Sequence, residues 1–188
     1  MELKPFLIAT SQGISGTGVS SKIEHWIDLT SDEFTPVLTF TSEGQYLAFP
    51  AGIGRKTGGL VVSLTTQPVE GITVAFHVEF EPVGNGGKGM PVVRISDRVV
   101  YVRTSIGKFE LDPGLSTATS HEVKAFYDIS DADSSDPEFL KFNLKELSAL
   151  ATNKNDERLP WLAKFLRLCP DTPESRKLKA LIATPSRR

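Results

Sequence analysis

The sequence predicts an α+β protein: an antiparallel β-sandwich or curved sheet of about nine short strands, followed by a C-terminal appendage of two or three helices. Three observations carry this. Apolar residues alternate along Ile72–Glu81. Short alternating runs recur between Gly/Pro turns as far as Leu111. From Asp136 onward the pattern changes to helix starts and helical stripes. The expected organisation is a β-rich body over 1–117, an acidic linker with a short helix over 118–136, and a helical appendage over 137–188.

Ile72–Glu81 is the clearest strand. Ile72, Val74, Phe76, Val78 and Phe80 occupy alternate positions, so they form one apolar face. Thr73, Ala75, His77, Glu79 and Glu81 form the other, which reads as a wet face of an antiparallel sheet.

The other elements follow in order. Phe6–Ala9 is a short apolar run and a first strand. The Ser/Gly-rich Ser11–Gly18 marks a loop or a loosely held edge; Gly16-Thr17-Gly18 has no Lys-Ser/Thr pair and no following helix, so it is no phosphate loop. Val19–Thr30 is a strand with Ile23, His25, Ile27 and Leu29 on the expected apolar face. Glu24, Trp26 and Asp28 lie on the other, which makes Trp26 either a ring covered by a loop or an exposed partner contact. Ser31-Asp32-Glu33 turns the chain. Phe34–Thr41 is a strand start or edge because Pro36 cannot donate to a ladder. Ser42-Glu43-Gly44 is a turn, and Gln45–Phe49 a short strand.

Pro50–Gly59 reads as a surface loop carrying Arg55 and Lys56, the candidate anion or partner contacts of the front half. Leu60–Thr66 is a strand. Gly84, Gly86 and Gly89 match the spacing of a dinucleotide loop, but a strand follows them, so they make a flexible hairpin loop. A symmetric hairpin there pairs Glu79 with Arg94 and Val78 with Ile95. Arg98–Arg103 is strand, with Ser96-Asp97 either a hairpin turn or a bulge, and Lys108–Leu111 ends the series.

Ser120 is placed to cap a helix through Tyr127. Asp131 and Asp133 lack the glycine and closing glutamate of a calcium loop, so 128–136 reads as linker. Asp136-Pro137-Glu138 starts a helix to about Ala151. A second helix spans about Glu157–Leu168, with Pro160 in its first turn, and Thr172-Pro173-Glu174 starts a third. Trp161–Ile182 has no earlier copy at the period of a tetratricopeptide repeat and reads as a helical cap.

Composition narrows function. Hydrophobic residues make up 39% of 188, enough for a core. The net charge is −2, from 10 Lys+Arg against 17 Asp+Glu over 1–136 and 11 against 6 over 137–188. The +5 helical end has few aromatics, so nucleic acid is not expected. No membrane span is expected, because no apolar run approaches ~18 residues. Residues 1–10 lack the apolar stretch of an export signal, which makes the cytoplasm the default and an exported protein trimmed of its signal the alternative. Cys169 is the only cysteine, so no internal disulfide forms.

No nucleophile elbow, zinc helix or Walker loop is present, and no catalytic residue, metal or cofactor is assigned. The expectation is a β-rich binding or protein-interaction module, its partner another protein. The alternative is a metal-assisted hydrolase or small-ligand-binding enzyme built on His77, Glu79 and Glu81.

Overall fold

A computed structural model describes residues 6–16, 18–30, 34–46, 53–65, 70–82, 90–127 and 136–185. The fold is α+β, with a curved antiparallel sheet and C-terminal helices. The strands are β1 (Phe6–Gly16), β2 (Val19–Asp28), β3 (Pro36–Tyr46), β4 (Ile53–Thr65), β5 (Gly71–Pro82), β6 (Val93–Arg103) and β7 (Phe109–Leu111). They lie side by side in chain order in one sheet. The helices are α1 (Ser120–Tyr127), α2 (Asp136–Phe142), α3 (Leu144–Thr152), α4 (Leu159–Leu168) and α5 (Pro173–Ala183).

Among the described residues seven strands stand where nine were expected, because two pairs merge. β3 runs through Ser42-Glu43-Gly44, and β6 runs through Ser96-Asp97 as one strand. Polar and glycine residues in both places sit on ladder positions, so they break the pattern but not the strand. β1 likewise continues through the Ser/Gly run to Gly16, as the edge of the sheet. β4 begins at Ile53, so residues 53–59 are strand and not surface loop. The dinucleotide-like loop at 83–89 and the acidic linker at 128–135 lie outside the described residues.

Contacts divide the chain into two compact units. One holds Met1–Gln45, Lys56–Val78 and Ile95–Ile129; the other holds Tyr46–Arg55, Glu79–Arg94 and Ser130–Arg188.

In the first unit the sheet curls on itself. β1 and β7 are the two ends of the strand order, yet the Phe6 and Phe109 rings stand 6.4 Å apart. Phe6 also meets Trp26 at 5.5 Å. The enclosed core includes Leu38, Phe40, Val74, Phe76, Val99 and Tyr101, with Phe126 of α1 stacked on Phe76 at 4.8 Å. Gly59 makes room for this helix, since a Cβ there would press on Phe126 and Phe40. The cap of α1 is Thr119, one residue before the expected Ser120. Glu122 donates its amide to Thr119 Oγ1, and the Glu122 carboxylate accepts the Thr119 amide at 2.7 Å.

The face of β2 is the reverse of the expected one. Trp26 and Asp28 are buried, whereas Ile23, His25 and Ile27 are only half-buried. The indole has the most apolar area to hide, and Asp28 goes in with it because Arg103 and Thr30 satisfy its carboxylate.

In the second unit Phe139 joins Phe80 at 5.1 Å and Phe165 at 5.8 Å, over buried Leu140, Leu147, Leu162, Leu166 and Leu178. The helix expected to run unbroken to Ala151 divides at Asn143. The Phe139 carbonyl there accepts both the backbone amide and the side-chain amide of Asn143, which loosens the turn. Thr172 caps α5 through a reciprocal bond with Ser175, as the Thr-Pro-Glu start predicts. Lys154 donates to the carbonyls of Leu181 and Ile182 and so closes the other end of that helix.

Candidate functional site

The first unit presents an open sheet face. Trp26, Phe40, Gly59 and Phe76 point to the core, so the residues alternating with them point outward. Outward are Ile23, His25 and Ile27 on β2, Val37 and Thr39 on β3, Gly58, Leu60, Val62 and Leu64 on β4, and His77 on β5. On β1, Leu7 pairs with Ile27 and Ser11 with Ile23.

This face has an apolar end and a polar end. At the apolar end Leu60 is 68% exposed, Val62 46% and Leu64 45%, with Leu7 at 47%. At the polar end lies a cleft of about 600 Å3, bordered by Ser11, Lys22, Glu43, Gln45, Lys56 and His77 among others. Lys22 and Glu43 form an exposed ion pair at 2.8 Å on its rim. His77 sits over Gly58, where any Cβ would collide with the imidazole.

Beside the cleft a polar chain crosses three strands. Ser11 Oγ is 2.7 Å from His25 Nε2, and His25 Nδ1 is 3.3 Å from Thr39 Oγ1. The chain lies on the outward face, which is why His25 is half-buried and not a core residue.

The residues singled out in the sequence separate. His77 borders the cleft, and Lys56 does too. Glu79 is half-buried and paired with Arg94 at 2.7 Å, the cross-strand partner expected of it. Glu81 follows on β5, half-buried. Among the described residues no group of three or more His, Cys, Asp and Glu is placed to hold a metal ion. Trp26 is a core residue whose Nε1 donates to Glu24 at 2.7 Å, so it offers no exposed contact. Arg55 is buried as well, its guanidinium 4.9 Å from the centre of the Tyr46 ring. Both side chains lie inside for one reason: a strand buries alternate residues whatever their polarity, once each finds a partner there.

Ser11, Thr39 and the Leu60–Leu64 row were not foreseen as site residues. The row was readable in part, since Leu60, Val62 and Leu64 alternate with Val61, Ser63 and Thr65; both sets carry apolar residues, so alternation alone names no outer face. Ser11, His25 and Thr39 stand 14 residues apart in sequence and meet only through the register of β1, β2 and β3.

No helix among the described residues is long and apolar enough to cross a membrane. No family model matches the chain, and no curated protein or solved structure matches it.

Proposed function

We propose that the protein is a β-rich binding module that takes a protein partner on the outward face of its sheet. The observation that supports this is the row Leu60, Val62 and Leu64, three exposed apolar side chains at alternate positions of β4. Leu7 extends it across the sheet, with Ile27 and Val37 half-buried between. A lone exposed leucine is ordinary, but a contiguous outward row signals a contact surface. The row carries no charge, so the matching partner surface is apolar as well. A second copy of this chain supplies such a surface: two sheet faces stack about 10 Å apart, each row covering the other.

The metal-assisted reading of His77, Glu79 and Glu81 draws less support, because Arg94 already holds Glu79. Sedimentation of the purified chain over a concentration series tests the proposal. Self-association is expected, lost in Leu60→Glu and in Val62→Glu with the melting temperature unchanged. A chain that stays monomeric throughout, with no gain in solubility from either variant, overturns it.

A further inference from the structure

We propose that Ser11 is an acyl-accepting nucleophile, with His25 as its base, Thr39 as a positioning residue, and small carboxylic esters as substrates. The geometry points to it in three steps. Ser11 borders the cleft, which is large enough for a small ester. Its Oγ is within hydrogen-bond reach of His25 Nε2 at 2.7 Å. The other imidazole nitrogen, Nδ1, reaches Thr39 Oγ1 at 3.3 Å. When Nδ1–H donates to Thr39, Nε2 keeps its lone pair toward Ser11 and can accept the hydroxyl proton. A nucleophile held by a base that a third group holds is the general plan of an activated serine.

The local backbone favours this use of Ser11. β1 is an edge strand, and its register with β2 slips between Gln12 and Ser15. Such a bulge re-aims neighbouring side chains and recurs next to active sites. Lys56 borders the same cleft, as do Lys22 and Glu43, whose charges pair with each other at 2.8 Å.

The reaction balances without a co-reactant beyond water. Ser11 Oγ bonds to the ester carbonyl carbon as its proton passes to His25 Nε2. The bond from carbonyl carbon to alkoxy oxygen breaks, and Nε2 returns the proton to the leaving alcohol. The acyl group now sits on Ser11. Water attacks it, giving a proton to Nε2 that then returns to Ser11 Oγ, and the carboxylic acid leaves. Thr39 is neutral and stabilises an imidazolium less than a carboxylate would, so the expected turnover is slow and best seen with an activated ester.

The test uses the full chain and p-nitrophenyl acetate, read by p-nitrophenol release and by mass spectrometry of the intact and digested protein. One acetyl group on Ser11 is expected. Ser11→Ala removes it, and His25→Asn slows p-nitrophenol release by at least about a hundredfold. Ser11→Cys, which conserves volume, carries the acetyl group on sulfur. Thr39→Val slows acylation and Thr39→Ser restores it, a rescue that packing alone does not produce. Acetyl groups on lysines with Ser11 unmodified, an unchanged rate in His25→Asn, or no label on sulfur in Ser11→Cys each overturn the proposal.

Discussion

Asp28 on β2 and Arg103 on β6 have three strands between them in the sheet order, yet their side chains meet at 2.6 Å. The carboxylate is 3% exposed and the guanidinium 15%. Burial pushes the Asp28 carboxyl up, but bonds from Thr30 and Arg103 and the Arg103 charge outweigh it, so the pKa lies below the usual value. The pair joins distant strands across the curl of the sheet, alongside the contact of Phe6 with Phe109. Removing one partner leaves a buried charge alone. Asp28→Asn and Arg103→Met are each expected to destabilise by about 3–5 kcal/mol. The double variant is expected to lose less than the sum. Urea unfolding of the four proteins measures both quantities.

Gly58 keeps the space under the His77 imidazole open. Gly58→Ala places a methyl group where the ring lies. His77 is exposed and can swing away, and alanine suits a strand better than glycine, so stability is expected to change by less than about 1 kcal/mol. The ring position is expected to change instead. Altered His77 imidazole resonances with an unchanged melting temperature bear this out; a large loss of stability contradicts it.

The fold was readable where one physical signal acted alone. Ile72, Val74, Phe76, Val78 and Phe80 alternate without interruption, and all five are buried. The Glu79–Arg94 pair follows from that register. Helix starts were readable at Asp136 and Thr172, where cap, proline and acid coincide. The signal failed where two influences competed. Ser42-Glu43-Gly44 has turn composition, but neighbouring ladders carry β3 through it. The apolar pattern runs past Asn143 without a break, yet its side chain competes for the Phe139 carbonyl.

The open face was much less readable. Alternation left Trp26 as either a covered ring or a surface contact and Arg55 read as a surface contact; both are inside because tertiary partners receive them. His77 stands outward on β5 as its place in the alternation implies. The Ser11–His25–Thr39 chain depends on the register of three strands, which one sequence does not specify beyond a local hairpin.

Thr57 is a buried polar residue of the first unit whose Oγ1 finds no hydrogen-bond partner among the described residues. A buried hydroxyl without a partner costs about 1–3 kcal/mol in lost hydration. Thr57→Val keeps the branched shape and removes the oxygen. It is expected to be neutral or to stabilise by up to about 1 kcal/mol, seen as a higher urea midpoint at constant slope. A loss of more than about 1 kcal/mol means that the hydroxyl is hydrogen-bonded in solution.

Arg158 binds Asp156 through two nitrogens, Nε at 2.8 Å and Nη2 at 2.6 Å, and donates from Nη1 to the Pro91 carbonyl at 2.6 Å. This fork ties the start of α4 to the residues before β6 within the second unit. Hydrogen bonds from Arg158 lower the Asp156 pKa from 3.8 to about 2, against an opposing push from burial. A carboxyl depressed in the folded state stabilises fully above its unfolded value and loses that contribution as pH falls through the folded one. The Asp156 contribution is therefore intact above pH 3.8 and disappears as pH approaches about 2. Asp156→Asn is expected to lower stability at neutral pH and to flatten the stability curve across that acid window. Arg158→Ala is expected to do the same and also to loosen the segment at Pro91. Chemical unfolding between pH 2 and 7 reads the first effect, and hydrogen exchange at Val92 reads the second. An Asp156→Asn curve parallel to that of the unsubstituted protein below pH 4 contradicts the assignment.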